Sequence, residues 1–371
     1  MRFLINYRFW LPFVLLLGLE FIFELGFYEP FVKIESHSGT TIRVKKALKE
    51  LGYENIDYVT IGDSRADTGI DHGAVFEASL RFGQRHISMA MPGSHFTTYK
   101  MESRFLHGNL SNLKGVLLGV SSSSMTRIFN GYAELGIIQP FRNLKDYDQV
   151  PRTIPFEIHT TESYGAVSSL FAYQQDIKDL ISHPRQRIRS LLQKKRPWRE
   201  VLAHGEWLDF DICSINLETP EACLASVGQI TGSEPNMPQD RLDEYQRISD
   251  GCNGARYRMN LPEGDQIERV KNSWRELLHS LRFKKKPIVV LLPDNSLLEK
   301  YQFPAGVNEW ALSILKPMAE QNEIILLDYS KRFAVEDECK YFLDPIHLNS
   351  LGMKTITKEL LPFLKAYYQQ Q

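Results

Sequence analysis

The stretch Tyr58-Val59-Thr60-Ile61-Gly62-Asp63-Ser64-Arg65 decides the fold class of this chain. Its first four residues are β-branched or aromatic, which favours a short buried strand. Gly-Asp-Ser is typical of a turn, and a helical segment follows it. A strand that passes directly into a helix is the repeating unit of parallel sheets. The stretch therefore predicts an α/β domain whose first strand ends at Gly62.

Further apolar runs repeat this pattern along the chain. The predicted strands are His86 to Met91, Gly115 to Val120, Pro287 to Pro293 and Glu323 to Asp328. Helical patterns fall between them and after the last one, at Thr97 to Leu106, Asp265 to Leu281, Val307 to Glu320 and Ser350 to Tyr368. We expect one three-layer α/β/α domain over residues 55–371, with a five-stranded, mostly parallel sheet. The irregular residues from about 125 to 262 are predicted to be a long insertion.

The composition is that of an ordinary globular protein, with 43% hydrophobic and 24% charged residues among 371. The net charge of −1 gives no overall attraction to nucleic acid, so we expect no nucleic-acid partner. The cysteines have neither CxxC nor zinc-site spacing, and we expect neither a metal nor an organic cofactor. In an oxidising compartment a disulfide between two of Cys213, Cys223 and Cys252 is expected, with the pairing undetermined. Buried free thiols, including Cys339, are the alternative.

The N-terminus has the pattern of a membrane anchor. Phe9 to Phe27 is almost wholly apolar and about long enough to cross a bilayer, and Arg2 and Arg8 precede it. We expect an anchor over residues 1–30 with a cytoplasmic N-terminus, and a linker helix within residues 31–54. The domain that follows would be extracytoplasmic, in the periplasm or at the cell surface. A cleaved signal peptide is the alternative.

Two carboxylates interrupt the apolar segment. Glu20 and Glu24 are four residues apart and therefore share one helical face. Carboxylates at membrane depth usually face protein or water rather than lipid. The face predicts contact with a polytopic membrane partner, whereas solvation at the outer interface is the alternative.

Three residues at opposite ends of the α/β pattern carry the chemistry of acyl transfer. Ser64 follows the first strand, and Asp344 and His347 lie together before the last helix. A serine hydroxyl becomes a nucleophile when an imidazole takes its proton and a carboxylate orients the imidazole. We expect Ser64 as nucleophile, His347 as base and Asp344 as orienting group, with His72 and His95 as competing bases. The amide of Ser64, at a helix start, is a candidate oxyanion donor.

Sites in open parallel sheets form beyond the carboxyl ends of the strands. Ser64, Gly93 and Ser121 follow the first, second and third predicted strands, so all three are expected at one edge. Further residues expected at this edge are Asp63, Arg65, Ser94 and Ser122.

Gly62-Asp63-Ser64 and Asp344-Pro345-Ile346-His347 resemble the first and last sequence blocks of the SGNH/GDSL hydrolase superfamily. The resemblance covers roughly residues 55–125 and 265–368. It implies the α/β/α fold and an acyl-serine intermediate. It also implies that Gly93, in Met91-Pro92-Gly93-Ser94, is a second oxyanion donor.

The third block departs from the superfamily pattern. Where Gly-x-Asn-Asp is expected, this chain has Gly119-Val120-Ser121-Ser122, so an oxyanion donor is missing. Loss of one donor costs on the order of 10²–10³ in turnover. Either a hydroxyl from Ser121 to Ser124 replaces it, or the site is slow toward water. Asn130 is another candidate replacement.

The departure and the anchor together are similar to a membrane-anchored branch of the superfamily. That branch includes proteins of D-alanyl-lipoteichoic acid synthesis and of alginate O-acetylation. The resemblance implies a serine esterase or O-acyltransferase acting on acyl groups of a cell-envelope glycan or polymer. Its partners would be the acylated polymer or acyl donor, and a polytopic membrane O-acyltransferase bound through Glu20 and Glu24. The alternative is a non-catalytic SGNH-like envelope protein that binds a polymer or such a partner.

Overall fold

The sheet of this protein contains five strands in the order β2-β1-β3-β4-β5, and every neighbouring pair is parallel. A computed structural model describes residues 7–128, 132–141, 168–191, 196–205, 209–234, 236–334 and 337–370. Its strands are β1 (Tyr58–Gly62), β2 (His86–Ser88), β3 (Gly115–Ser121), β4 (Ile288–Leu292) and β5 (Ile325–Asp328). The predicted α/β class and five-stranded parallel sheet are confirmed.

The four helices predicted between and after the strands begin and end within three residues of their predicted bounds. The residues that the structure describes form these four and other helices. They are α1 (Tyr7–Glu24), α2 (His37–Leu51), α3 (Ser64–Gly69), α4 (His72–Leu80), α5 (Phe96–Asn109), α6 (Tyr132–Ile138), α7 (Ser169–Ala172), α8 (Gln174–Ser182), α9 (Pro184–Leu191), α10 (Trp198–Leu202), α11 (Pro220–Ser233), α12 (Gln239–Gly254), α13 (Gln266–Ser280), α14 (Val307–Glu320) and α15 (Ser350–Gln369). The second strand ends earlier than predicted. Its backbone nevertheless continues to pair with β1, since Met91 N donates to Gly62 O at 3.0 Å.

The segments fall into two compact groups. The helical group contains Met1–Leu51, Gly93–Asn109 and Ile128–Val201. The sheet group contains Gly52–Pro92, Leu110–Arg127 and Leu202–Gln371, and it holds all five strands. Strands from both sides of the long connection between β3 and β4 thus share one sheet, because β3 pairs directly with β4.

A glycine pair sets how closely the first helix of the sheet group approaches the sheet. Gly62 and Gly119 are partners in the β1–β3 ladder. A Cβ at Gly62 would lie 2.3 Å from the Ala66 side chain, and a Cβ at Gly119 would lie 2.7 Å from it. Only glycine permits this approach. Helix α3 therefore begins directly over the carboxyl ends of β1 and β3, and Ser64 is its first residue.

Apolar side chains fill both faces of the central strands. Strands β1, β3 and β4 are buried along their whole length, as expected for parallel strands covered on two sides. One core joins them to apolar residues of α12, α14 and α15. The sheet is therefore a rigid base for residues at its edge.

The cysteines form two disulfides, both within the sheet group. Cys223 of α11 is bonded to Cys252 of α12, which is one of the pairings that the sequence allowed. Cys213 is bonded to Cys339, a pairing that we did not predict. The alternative of free thiols is therefore wrong. The Cys213–Cys339 bond closes a separation of 126 residues and restrains the segment just before Asp344.

In the helical group, Tyr28 and Arg187 are joined through one carboxylate. Tyr28 Oη donates to Asp176 at 2.7 Å, and the buried Arg187 donates to the same carboxylate at 2.8 Å.

Within the part of the chain that the structure describes, no helix is long and apolar enough to cross a membrane. The N-terminal anchor thus stays a prediction.

Candidate active site

Ser64 is the first residue of α3, directly after the turn that follows β1. Asp63 caps the helix, since its side chain accepts a hydrogen bond from Arg65 N at 2.9 Å. This cap fixes the turn, so the half-buried Ser64 begins the first helical turn. Ser64 Oγ is 2.8 Å from Nε2 of His347, a residue 283 positions away in sequence. The structure thus brings together two residues that the sequence predicted as partners.

Asp344 holds His347 through a local set of hydrogen bonds. His347 Nδ1 donates to Asp344 Oδ2 at 2.8 Å. The other carboxylate oxygen, Oδ1, accepts from the backbone N–H groups of Ile346 at 2.6 Å and His347 at 2.8 Å. Burial acts to raise the pKa of Asp344, but His347 and these hydrogen bonds outweigh it and lower the pKa below its usual value. Asp344 is therefore an ionised, immobile acceptor.

The hydrogen bonds determine which ring nitrogen of His347 carries the proton. Because Asp344 accepts from Nδ1, the neutral ring has its lone pair on Nε2. Nε2 can then accept the proton of Ser64 Oγ. This is the arrangement that a serine nucleophile with a general base requires.

Arg65 connects the turn to the ends of two other strands. Its Nη1 donates to Ser121 Oγ of β3 at 2.8 Å, and its Nε lies 3.1 Å from Asp294 Oδ1, just beyond β4. Its Nη1 is also 3.7 Å from Asp63 Oδ2. Burial raises the pKa of Asp294 to about 6, although the Arg65 guanidinium opposes this shift. The network fixes Arg65 beside the nucleophile turn.

The serines after β3 differ in what their hydroxyls contact. Ser121 Oγ is 2.9 Å from Ser123 Oγ and 3.1 Å from Ser124 Oγ, and Ser124 Oγ donates to Asp63 at 3.2 Å. Ser122 is fully buried, and its hydroxyl has no hydrogen-bond partner among the described residues. Of the serines predicted to replace the missing asparagine, Ser122 is thus the one whose hydroxyl is not engaged.

Two candidate residues, Gly93 and Ser94, belong to the helical group. Gly93 has a φ of 84°, and a Cβ there would lie 2.9 Å from His37 Cε1, so the position requires glycine. The roles of Gly93 as an oxyanion donor and of Ser94 at the site edge stay predictions. Asn130 lies outside the described residues.

The competing bases do not occupy the position of His347. His72 Nε2 is 3.2 Å from the carbonyl oxygen of Ala66, and burial lowers the pKa of His72 well below its usual value. His95 is buried within the helical group. His347 is the histidine whose Nε2 lies within hydrogen-bond distance of Ser64 Oγ.

Glu20 and Glu24, predicted to meet a membrane partner, contact the helical group itself. Glu20 accepts from Ser168 Oγ at 2.8 Å and from Leu170 N at 3.2 Å. Glu24 accepts from Ser169 Oγ at 2.5 Å. These contacts cap the first turn of α7, and the interaction with a membrane partner stays a prediction.

Sequence reasoning missed two groups of residues near the candidate site. Asp294 was overlooked, although it follows β4 at the edge of the sheet where Ser121 ends β3. We also did not predict that His204 would lie beside Asp67 and His72. Only the position of Asp294 after a predicted strand offered a signal in the sequence.

Comparisons with known proteins add no family assignment. No protein-family model matches the chain, and no curated protein matches it significantly. The resemblance to the SGNH/GDSL superfamily therefore stays a prediction based on the two sequence blocks.

Proposed function

We propose that this protein is a serine esterase or O-acyltransferase that works through an acyl-serine at Ser64. The observation that carries the proposal is the continuous hydrogen-bonded chain from Asp344 through His347 to Ser64, with both joining distances at 2.8 Å. A capping serine or a surface histidine would have no need of the other two groups. The full set, in hydrogen-bond contact, has the geometry of an activated nucleophile.

In the acylation step, Ser64 Oγ attacks the carbonyl carbon of the acyl donor. The hydroxyl proton passes to His347 Nε2, and Asp344 stabilises the imidazolium that forms. The carbonyl electron pair moves to the oxygen, which the amide of Ser64, at the start of α3, would stabilise. When the tetrahedral intermediate collapses, the bond to the leaving alcohol or thiol breaks and His347 gives the leaving group its proton.

In the second step, water or an acceptor hydroxyl attacks the acyl-serine. His347 takes the proton of the attacking group and returns it to Ser64 Oγ as the ester bond breaks. Hydrolysis and transfer thus use the same residues and differ only in the attacking group. We propose that the Ser122 hydroxyl supplies the oxyanion hydrogen bond that the absent asparagine would give, because it is buried and not engaged.

We further propose an extracytoplasmic location and a substrate in the cell envelope. The two disulfides support this, because such bonds persist in oxidising compartments. The apolar N-terminus and the two sequence blocks favour an anchored SGNH-type protein with a three-layer α/β/α fold. Its substrate would be an acylated glycan or polymer, and its partner a polytopic O-acyltransferase.

Covalent labelling tests the proposal directly. Folded wild-type protein should react with a fluorophosphonate at Ser64, as located by peptide mass spectrometry, and Ser64→Ala should not react. Ser313→Ala, an exposed serine of α14, is the control and should label like the wild type. Incubation with acetyl and D-alanyl thioesters, followed by mass measurement, would then identify the acyl group. If wild type and Ser64→Ala react equally, or neither reacts, the protein is not a serine acyl-transfer enzyme and the binding-protein alternative holds.

A further inference from the structure

Three metal-ligating side chains converge next to the nucleophile turn, at a place that the proposed mechanism does not use. They are Asp67 of α3, His72 at the start of α4, and His204 beyond α10. Each offers one ligand atom, and these atoms all lie within 4.8 Å of one another. His204 Nε2 is 2.9 Å from Asp67 Oδ1, and the two imidazole rings have centroids 5.0 Å apart.

The backbone holds the three residues in place. Gly73 N donates to His204 O at 2.9 Å, so the segment around His204 is bound to the first turn of α4. Asp71 caps that turn by accepting from Ala74 N at 2.8 Å. A Cβ at Gly205 would lie 2.2 Å from Asp71 Oδ1, so this close contact depends on glycine. These contacts thus fix the backbone from which His72 and His204 project.

The contact of His72 with the backbone is the kind that orients a metal-ligating imidazole. Its Nε2 is 3.2 Å from the carbonyl oxygen of Ala66. Metal-ligating histidines usually donate their second ring N–H to a carbonyl or carboxylate, which fixes the tautomer and the ring. If Nε2 donates to Ala66, the lone pair of His72 is on Nδ1 and is available to a cation.

An ion pair between His204 and Asp67 does not by itself account for His72. His72 takes no part in that ion pair, since its Nε2 contacts the carbonyl oxygen of Ala66 instead. A shared cation would bind both rings in their neutral form and the carboxylate in its ionised form. Imidazole nitrogen suits zinc and its neighbours, whereas Mg²⁺ and Ca²⁺ prefer all-oxygen sites.

We propose that Asp67, His72 and His204 bind one divalent transition-metal ion of the zinc class. In a tetrahedral zinc site with bonds of about 2.1 Å, ligand atoms are about 3.4 Å apart, which small side-chain rotations here would achieve. Three protein ligands leave a fourth position for water or another ligand. The bound ion would join α3, α4 and the segment around His204, and so stabilise the helix that begins with Ser64.

Direct metal binding to the full-length chain tests this proposal. After treatment with a chelator, titration calorimetry with zinc should show one saturable site per chain. His204→Ala and Asp67→Asn should each weaken it by at least 10²-fold, since even loss of an orienting residue costs 10–100-fold. His279→Ala is the matched control, because His279 Nε2 also lies 3.0 Å from a carboxylate oxygen, that of Glu323, at the surface. Its zinc affinity should equal that of the wild type.

Cobalt gives a second measurement that needs no variant to fold. Wild-type protein loaded with Co²⁺ should show the visible absorption of a tetrahedral nitrogen and oxygen site, and zinc should abolish it. Absence of both the calorimetric site and the cobalt bands would overturn the proposal, as would equal zinc affinities for His204→Ala and His279→Ala. Fluorophosphonate labelling of Ser64 is a separate measurement, so either proposal can fail without the other.

Discussion

Replacing Asp344 by asparagine tests how the site sets the tautomer of His347. The substitution keeps the size of the side chain and changes one oxygen to an NH₂ group. Asp344 Oδ1 accepts two backbone N–H groups, from Ile346 at 2.6 Å and His347 at 2.8 Å. In the Asp344→Asn variant the amide oxygen must remain at this position, because an NH₂ group there would face two donors.

The magnitude of this preference follows from the hydrogen bonds. Turning the amide the other way would leave two partly buried backbone donors unsatisfied, at about 1–3 kcal/mol each. The NH₂ group therefore faces His347 Nδ1 and donates to it, which moves the ring proton to Nε2. Nε2 then donates to Ser64 Oγ and cannot take its proton. We expect the reaction of Ser64 to slow by on the order of 10⁴-fold, equivalent to about 5 kcal/mol in the barrier.

The assay is the second-order rate of fluorophosphonate labelling, followed by intact mass, together with the melting temperature of each protein. Asp328→Asn is the matched control, because Asp328 Oδ1 also accepts two hydrogen bonds, from Ser330 N and Ser330 Oγ, at the end of β5. It should label at the wild-type rate. A labelling rate for Asp344→Asn within tenfold of wild type, with the fold intact, would refute the reasoning about the tautomer.

Two further predictions concern the same edge of the sheet. Ser122→Ala should slow labelling by about 10²-fold with little change in melting temperature, because the lost hydroxyl has no partner among the described residues of the free protein. The pKa of Asp294 is raised to about 6, so the folded state binds its proton more tightly than the unfolded chain does. The bound proton stabilises the folded state below about pH 4, and this stabilisation is lost as the pH rises through 6. The melting temperature of the wild type should therefore fall relative to that of Asp294→Asn across this interval.

Each of these predictions has an outcome that would contradict it. Ser313→Ala should label like the wild type, and a Ser122→Ala rate equal to it would exclude Ser122 as an oxyanion donor. For the pH experiment, a difference in melting temperature between wild type and Asp294→Asn that stays constant from about pH 4 to 6 would mean that the Asp294 carboxyl does not titrate in this interval.

The sequence by itself determined the local parts of this protein. The β-branched run before Gly62 specified a buried strand, and the Gly62-Asp63-Ser64 turn specified the start of a helix, and the structure has both. Asp344 and His347 are separated by a short loop, so their pairing is also a local property. Such features can be predicted from the sequence because the interacting groups are neighbours in the chain.

Only the tertiary structure decided which distant groups meet. The strand order places the ends of β1, β3 and β4 side by side, and this brings Asp294 and Ser121 to Arg65. The same holds for the Cys213–Cys339 bond and for His204 beside Asp67. These contacts depend on packing between segments far apart in sequence, and neither partner carries a local pattern that identifies the other. Ser64 and His347 were predicted as a pair from their chemistry, but the 2.8 Å contact between them comes from the sheet that positions both turns.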